Sequence, residues 1–164
     1  MNLSETAEVL SRISALRAEG RTMALATIVS VRGSTYRRPG ARLLVPDRGE
    51  AVGNLSGGCL EGEVEQVARD VMDDRGSRLE MYDLTADDEV VWGWGLGCNG
   101  AIEVFVEPAD EAAQLADALR TAIEQERLVA VATALGSAGG VEVGARMLVH
   151  ADGSRQGSFG DASA

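Results

Sequence analysis

Two short segments of this sequence combine cysteine with glycine in a way that serves chemistry: Ser56-Gly57-Gly58-Cys59 and Gly95-Leu96-Gly97-Cys98. The first lies between a short strand pattern and a helix pattern. Amides at such a helix start, with the helix dipole behind them, favour an anion. Two glycines open backbone conformations closed to other residues and let a ligand approach closely. A thiol so placed is expected to have a lowered pKa, which makes it a better nucleophile or soft-metal ligand. One such turn alone fits a tight bend with a small apolar cysteine equally well. The second segment shifts the balance, because Trp92 to Gly100 places Cys98 and Asn99 among four glycines, again just before a strand. Ordering so much glycine is unfavourable unless the backbone must bend or approach something.

A third segment, Arg32-Gly33-Ser34-Thr35-Tyr36-Arg37-Arg38-Pro39-Gly40, gathers guanidinium forks, hydroxyls and glycine amides suited to phosphate. Taken alone it also reads as a solvated loop whose arginines pair with surface carboxylates. Glu61 and Glu63 follow Cys59 closely, and stabilising the first helical turn is the role that suits them. Trp92 and Trp94 fit either stacking on a flat heterocycle or core packing. Dinucleotide-binding, P-loop, nucleophile-elbow and paired-histidine motifs are all missing.

Totals narrow the classes further. At 164 residues, 45% apolar and 25% charged, the sequence suits one globular domain spanning 1–164, with residues 161–164 as a flexible tail. Its net charge of −11 repels phosphate backbones and anionic lipids, so no nucleic-acid or membrane partner is expected. The N-terminus lacks a signal-peptide pattern, so a cytoplasmic location with reduced thiols is expected. Two separated cysteines and one histidine, His150, make neither a disulfide framework nor a zinc site, and no metal site is assigned.

The elements that position these segments are legible as patterns. Ser4 to Glu19 reads as an amphipathic helix capped by Ser4 and ended by Gly20. Strands are predicted over Met23 to Ser30, Arg42 to Pro46 and Glu50 to Asn54, with a loop from Arg32 to Gly40. A helix follows to about Asp74, then strands over Arg78 to Asp83 and Ala101 to Glu107, with Thr85 to Gly100 irregular. Pro108 is expected to open a second long helix reaching about Arg127. The chain then repeats itself. Ala24-Leu25-Ala26-Thr27 returns as Ala130-Val131-Ala132-Thr133, and Gly40-Ala41-Arg42-Leu43-Leu44-Val45 as Gly144-Ala145-Arg146-Met147-Leu148-Val149. Gly49 and Gly53 return as Gly153 and Gly157. This is a duplicated helix–strand–strand–strand unit, about 4–56 and 109–160. The second copy lacks Arg37-Arg38 and Ser-Gly-Gly-Cys, so shared positions read as scaffold and unshared ones as candidates for function. The expected fold is α+β, a layered α/β sandwich with a mixed sheet and flanking helices.

Three motifs in order, Gly33 to Val45, Gly53 to Gly62 and Trp94 to Gly100, with Glu103 to Pro108 behind them, resemble the XdhC/CoxI family. The resemblance is strong over about Met23 to Pro108 and looser over the second repeat. It implies an accessory protein, a chaperone rather than an enzyme, for a molybdenum hydroxylase of the xanthine dehydrogenase, aldehyde oxidoreductase or carbon monoxide dehydrogenase type. Such a protein binds the molybdenum cofactor (molybdopterin) as cargo, protects it during sulfuration by a cysteine desulfurase, and helps deliver it to the apoenzyme. On this reading Ser34, Arg37, Arg38, Ser56, Gly57, Gly58, Cys59, Gly97, Cys98 and Asn99 form the cofactor-binding site. Family members commonly continue into a Rossmann-type domain that this sequence does not include. A sulfur-relay enzyme acting through a Cys59 persulfide, and a docking module between sulfurase and apoenzyme, are the competing readings. A homodimer is compatible with all three.

Overall fold

The computed structural model describes residues 3–84, 99–109, 113–137 and 140–159. Helix α1 (Leu3–Ala18) leads into strands β1 (Met23–Ser34), β2 (Arg42–Pro46) and β3 (Val52–Gly53). Helix α2 (Glu61–Asp74) follows, then β4 (Arg78–Asp83), β5 (Asn99–Pro108), α3 (Ala113–Glu124), β6 (Val129–Thr133), β7 (Arg146–His150) and β8 (Arg155–Gly157). Five strands form one sheet in the order β3-β2-β1-β5-β4, and three form another in the order β6-β7-β8. Every described pairing is antiparallel, which the short β1–β2 and β2–β3 connections impose on those neighbours.

Alternation along the strands gives the five-stranded sheet two apolar faces. Ala24, Ala26 and Ile28 of β1, Leu43 and Val45 of β2, and Ile102, Val104 and Val106 of β5 pack with Leu60, Val64, Ala68 and Val71 around α2. Met23, Leu25 and Leu44 point the other way, toward Val9, Leu10, Ile13 and Leu16 of α1 and Ala116 of α3. The α+β sandwich predicted from the pattern is therefore present, with helices on both faces of the larger sheet. Among the described residues no helix is long and apolar enough to cross a membrane.

The duplication extends to individual hydrogen bonds. Thr27 pairs with Arg42 and Thr133 with Arg146, and each pair heads the same five-residue register. Gly40 donates to the Ile28 carbonyl as Gly144 donates to that of Ala134. Gly53 and Gly157 both take positive φ, and a Cβ on either would stand 2.2 or 2.4 Å from the carbonyl oxygen of Arg42 or Arg146. Only glycine allows that approach. Glu126 holds the left-handed position that Gly20 holds after α1, so the repeat kept the backbone where it lost the glycine. The copies meet at Glu107, 1% exposed, whose carboxylate takes a hydrogen bond from Arg146 Nη2 while Arg42 lies within its electrostatic reach. Burial pushes the Arg42 guanidinium down from its ordinary pKa, and Glu107 opposes that shift.

Several boundaries depart from the sequence reading. α1 already includes Leu3, so Ser4 is a helical residue and not its cap. β1 runs on to Ser34 through the stretch expected to open a loop, because Asn99 to Ala101 of β5 supply partners for Arg32 to Ser34. The register slips between Ile28 and Ser30, a bulge that twists this extension. β3 is two residues rather than five. Pro108 ends β5 opposite Ala24 instead of opening α3, which begins among the described residues at Ala113 and ends at Glu124. A proline at a strand end loses no ladder donor that the sheet needs there. The irregular segment predicted from Thr85 lies outside the described residues up to Cys98.

The glycine constraint is testable. Gly53→Ala should destabilise the fold by about 3 kcal/mol or more, since it combines positive φ with a backbone clash. Gly49→Ala, at positive φ but with open space, should lose only about 1 kcal/mol. Urea denaturation of the two variants measures the gap, and equal losses would contradict this account of the turn.

Candidate functional site

The β1·β5 pairing joins two of the predicted segments. Ser34 lies opposite Asn99 and Gly33 opposite Gly100. A Cβ at Gly100 would stand 2.3 Å from the Arg32 carbonyl oxygen and 2.9 Å from that of Ser34, so glycine there lets β5 lie against the end of β1. Asn99 is the first described residue of the glycine-rich stretch. Gly97 and Cys98 lie outside the described residues.

Tyr36 joins the third segment to the same place. Its ring carbons Cδ1, Cε1 and Cζ lie 3.2–3.4 Å from where a Cβ on Gly57 would stand. The ring therefore rests against the Ser56–Cys59 turn while remaining 68% exposed. Tyr36 also lines an open groove of about 230 Å³ together with Arg37, Arg38, Arg42 and Glu5. That is below the volume that encloses a whole ligand, roughly 300 Å³ and upward, so the groove suits one end of a larger molecule. Arg37 donates to the Glu5 carboxylate, whereas Arg38 is exposed and makes no ion pair among the described residues. Ser34 is exposed at the strand end, and Thr35 Oγ1 braces the loop by donating to the Arg37 carbonyl at 2.7 Å. Sequence reasoning passed over Tyr36. Its signal was an aromatic residue in an otherwise polar, arginine-rich loop, a place where an apolar core has no use for it.

The Ser56–Cys59 turn has its own anion. Glu61 folds back from the first turn of α2 and accepts from the amides of Leu55 at 3.0 Å, Ser56 at 2.9 Å, Gly58 at 2.9 Å and Leu60 at 3.2 Å, and from Ser56 Oγ. Ser56 Oγ in turn accepts from the amides of Cys59 and Leu60, and Asn54 Oδ1 from that of Gly57. Each amide from Leu55 to Leu60 thus has a partner inside the chain. Gly57 and Gly58 adopt φ of 83° and 111°, the conformations that aim those amides inward. Cys59 emerges from this frame as an exposed, free cysteine. The arrangement offers an exposed thiol on a turn whose amides are fixed, with the Tyr36 ring against the same turn at Gly57 and Arg38 in the groove that Tyr36 lines. No group of three or more candidate metal ligands occurs among the described residues.

Burial pushes the Glu61 carboxyl up, but the Ser56 hydroxyl and the amides of Ser56 and Leu55 outweigh it and hold the pKa below its ordinary 4.5. A carboxyl depressed in the folded state contributes stability that is present above its unfolded pKa and disappears as pH falls through the folded value. Glu61→Gln should therefore destabilise the chain by about 2 kcal/mol at pH 7. The gap from wild type should narrow as pH falls below 4.5. Thermal melts of both proteins across that window measure it, and a gap independent of pH would contradict the ionised-carboxylate frame.

Residues 16–83 match the sequence profile of the XdhC and CoxI family. The chain is 43% identical over 95 residues to a protein of Bacillus subtilis (strain 168) whose name describes it as one of the probable subunits of xanthine dehydrogenase. That match covers 58% of this chain and 29% of the other protein. A crystal structure described as a xanthine dehydrogenase from Bacillus halodurans superposes with a TM-score of 0.70 at 29% identity, over 94% of this chain and 46% of the other. The chain spans less than half the length of either relative. Motifs, fold and both matches agree in what they resemble: over residues 16–83 the chain is similar to the XdhC and CoxI family.

Proposed function

We propose that this chain binds the molybdenum cofactor as cargo and serves the maturation of a molybdenum hydroxylase, the class to which the names of its relatives point. The observation that carries the reading is the meeting of three segments at one end of the larger sheet: Ser34 opposite Asn99, and Tyr36 against Gly57. The cargo is a flat pterin bearing a dithiolene-bound metal and a phosphate. Tyr36 offers an exposed ring for the pterin, Arg38 and the groove offer charge for the phosphate, and Cys59 offers a thiol for the soft metal centre. The amides of the Ser56–Cys59 turn have another part in this reading. They hold Glu61, and through it the position of Cys59, while the guanidinium groups take the phosphate. The partner that receives the cargo is a hydroxylase apoenzyme, and the partner that sulfurates it is a cysteine desulfurase.

A second reading rests on the exposure of Cys59. A desulfurase persulfide can pass its outer sulfur to an accessible thiol. The Cys59 thiolate attacks that sulfur, a persulfide forms on Cys59, and the desulfurase cysteine leaves as thiolate. Mass spectrometry after incubation with desulfurase and cysteine separates the readings: an added sulfur on Cys59 marks the relay.

For the leading reading, the chain is co-expressed with cofactor synthesis and purified without oxygen, and molybdenum and pterin are measured per protein. Wild type should retain both near one per chain. Cys59→Ala should lose them, and Tyr36→Ala and Arg38→Ala should each retain several-fold less with the fold intact by circular dichroism. Equal retention in all four proteins would overturn the assignment.

A further inference from the structure

The two copies of the repeat differ in what covers them. In the first copy Ala24 and Ala26 are 0% exposed, and Leu43 and Val45 are nearly so, because Val64, Ala68 and Val71 of α2 lie on them. In the second copy the matching positions on the matching face are Ala130, Ala132, Met147 and Val149, joined by the pairs Ala130–Val149 and Ala132–Met147. Both alanines there are exposed and the other two side chains only half-buried. Leu148, on the opposite face, is buried. Leu128, beside the alanines in sequence, is 81% exposed. Among the described residues, the apolar surface that a helix covers in one copy has no helix over it in the other.

Charge separates the copies as well. Residues 127–159 carry Arg127, Arg146 and Arg155 against Glu142 and Asp152, a net charge of +1, so the rest of the chain carries −12 and the total is −11. Arg155 is paired directly with Val149 and stands on the open face, at a position where the first copy has Ala51. α2, the helix that covers the matching face, carries six carboxylates and one arginine. The open face thus combines an imprint of the same apolar stripe with one arginine, Arg155, at its edge, opposite in charge to the acidic surface of α2.

We infer that this face of the β6-β7-β8 sheet is a docking surface for an acidic amphipathic helix of a partner polypeptide, seated as α2 is seated on β1 and β2. The partner helix presents small apolar side chains at the spacing of Val64, Ala68 and Val71, and carboxylates toward Arg155. The inference is independent of the cargo site, because none of the residues involved belongs to it.

The probe is a synthetic peptide of residues 60–75 of this chain, with Arg69→Lys bridged to Glu65 to preform the helix. Those two side chains already lie together on the exposed surface of α2. The labelled peptide is titrated into the full chain and followed by fluorescence anisotropy, with sedimentation of the chain alone in parallel. Saturable binding to a monomeric chain is expected, weakened roughly tenfold or more by Ala132→Glu and several-fold by Arg155→Glu or by added salt. Circular dichroism checks that each variant folds, and Arg155→Glu, on an exposed edge strand, serves if Ala132→Glu does not. A folded wild type that binds no peptide overturns the inference, as does binding that neither substitution weakens. A dimer that Ala132→Glu dissociates would assign the face to a second copy of the chain and overturn the partner helix.

Discussion

The antiparallel pairing of β1 with β5 is the constraint from which the candidate site follows. It brings Ser34 opposite Asn99, residues that are remote in sequence, and it does so only because Gly100 leaves room for the Arg32 and Ser34 backbone. Without that ladder the arginine loop would leave the sheet at Ser30, as its composition suggests, and the glycine-rich stretch would have no fixed start. The bulge after Ile28 adds local twist at the point where β1 turns from core to site. Apolar burial on both faces holds the central strands, and the ladder continues past that core into polar residues.

Around this frame the chain uses one unit twice and elaborates it once. The two copies share registers, turn hydrogen bonds and the positive-φ glycines, and they touch through Glu107 between Arg42 and Arg146. What the copies do not share is concentrated in two places. Gly40 follows Thr27 by 13 positions and Gly144 follows Thr133 by only 11, so the shortening falls on the arginine loop. The first copy also continues into the Glu61-filled turn and α2. Glu61 explains how a turn with two exposed glycines stays ordered: a buried-side carboxylate satisfies amides that water would otherwise have to reach. Under the proposed function this divides the labour: backbone amides fix the turn that carries the thiol, and side chains are left to meet the cargo.

Much of this was legible in the sequence because glycine has a positional meaning. Gly40, Gly49 and Gly53 recur as Gly144, Gly153 and Gly157, and all six take positive φ. The helix faces were legible too, since Val64, Ala68 and Val71 recur at helical spacing and all are buried. The extension of β1 was not, because Arg32, Gly33 and Ser34 show no apolar alternation and become strand only through a partner far along the chain. Pro108 misled for a related reason: a proline suits a helix start and a strand end alike, and only the pairing with Ala24 decides. At the site, the acidic first turn of α2 was expected to stabilise the helix, but nothing local says that Glu61 turns back to collect amides up to six residues before it. Tyr36 was hidden because its meaning lies in Gly57, a contact that spacing alone does not encode.

The central claim is that the cysteine turn, the arginine loop and the glycine-rich stretch form one site. The chain has two cysteines, Cys59 and Cys98, one in each glycine segment. Treating the folded protein with a short bifunctional thiol reagent, followed by digestion and mass spectrometry, tests the claim most directly. The account predicts an intramolecular bridge between Cys59 and Cys98 in the native chain, lost in denaturant and weakened by Gly100→Ala. Separate single adducts on the two thiols, with no bridge under native conditions, would contradict it.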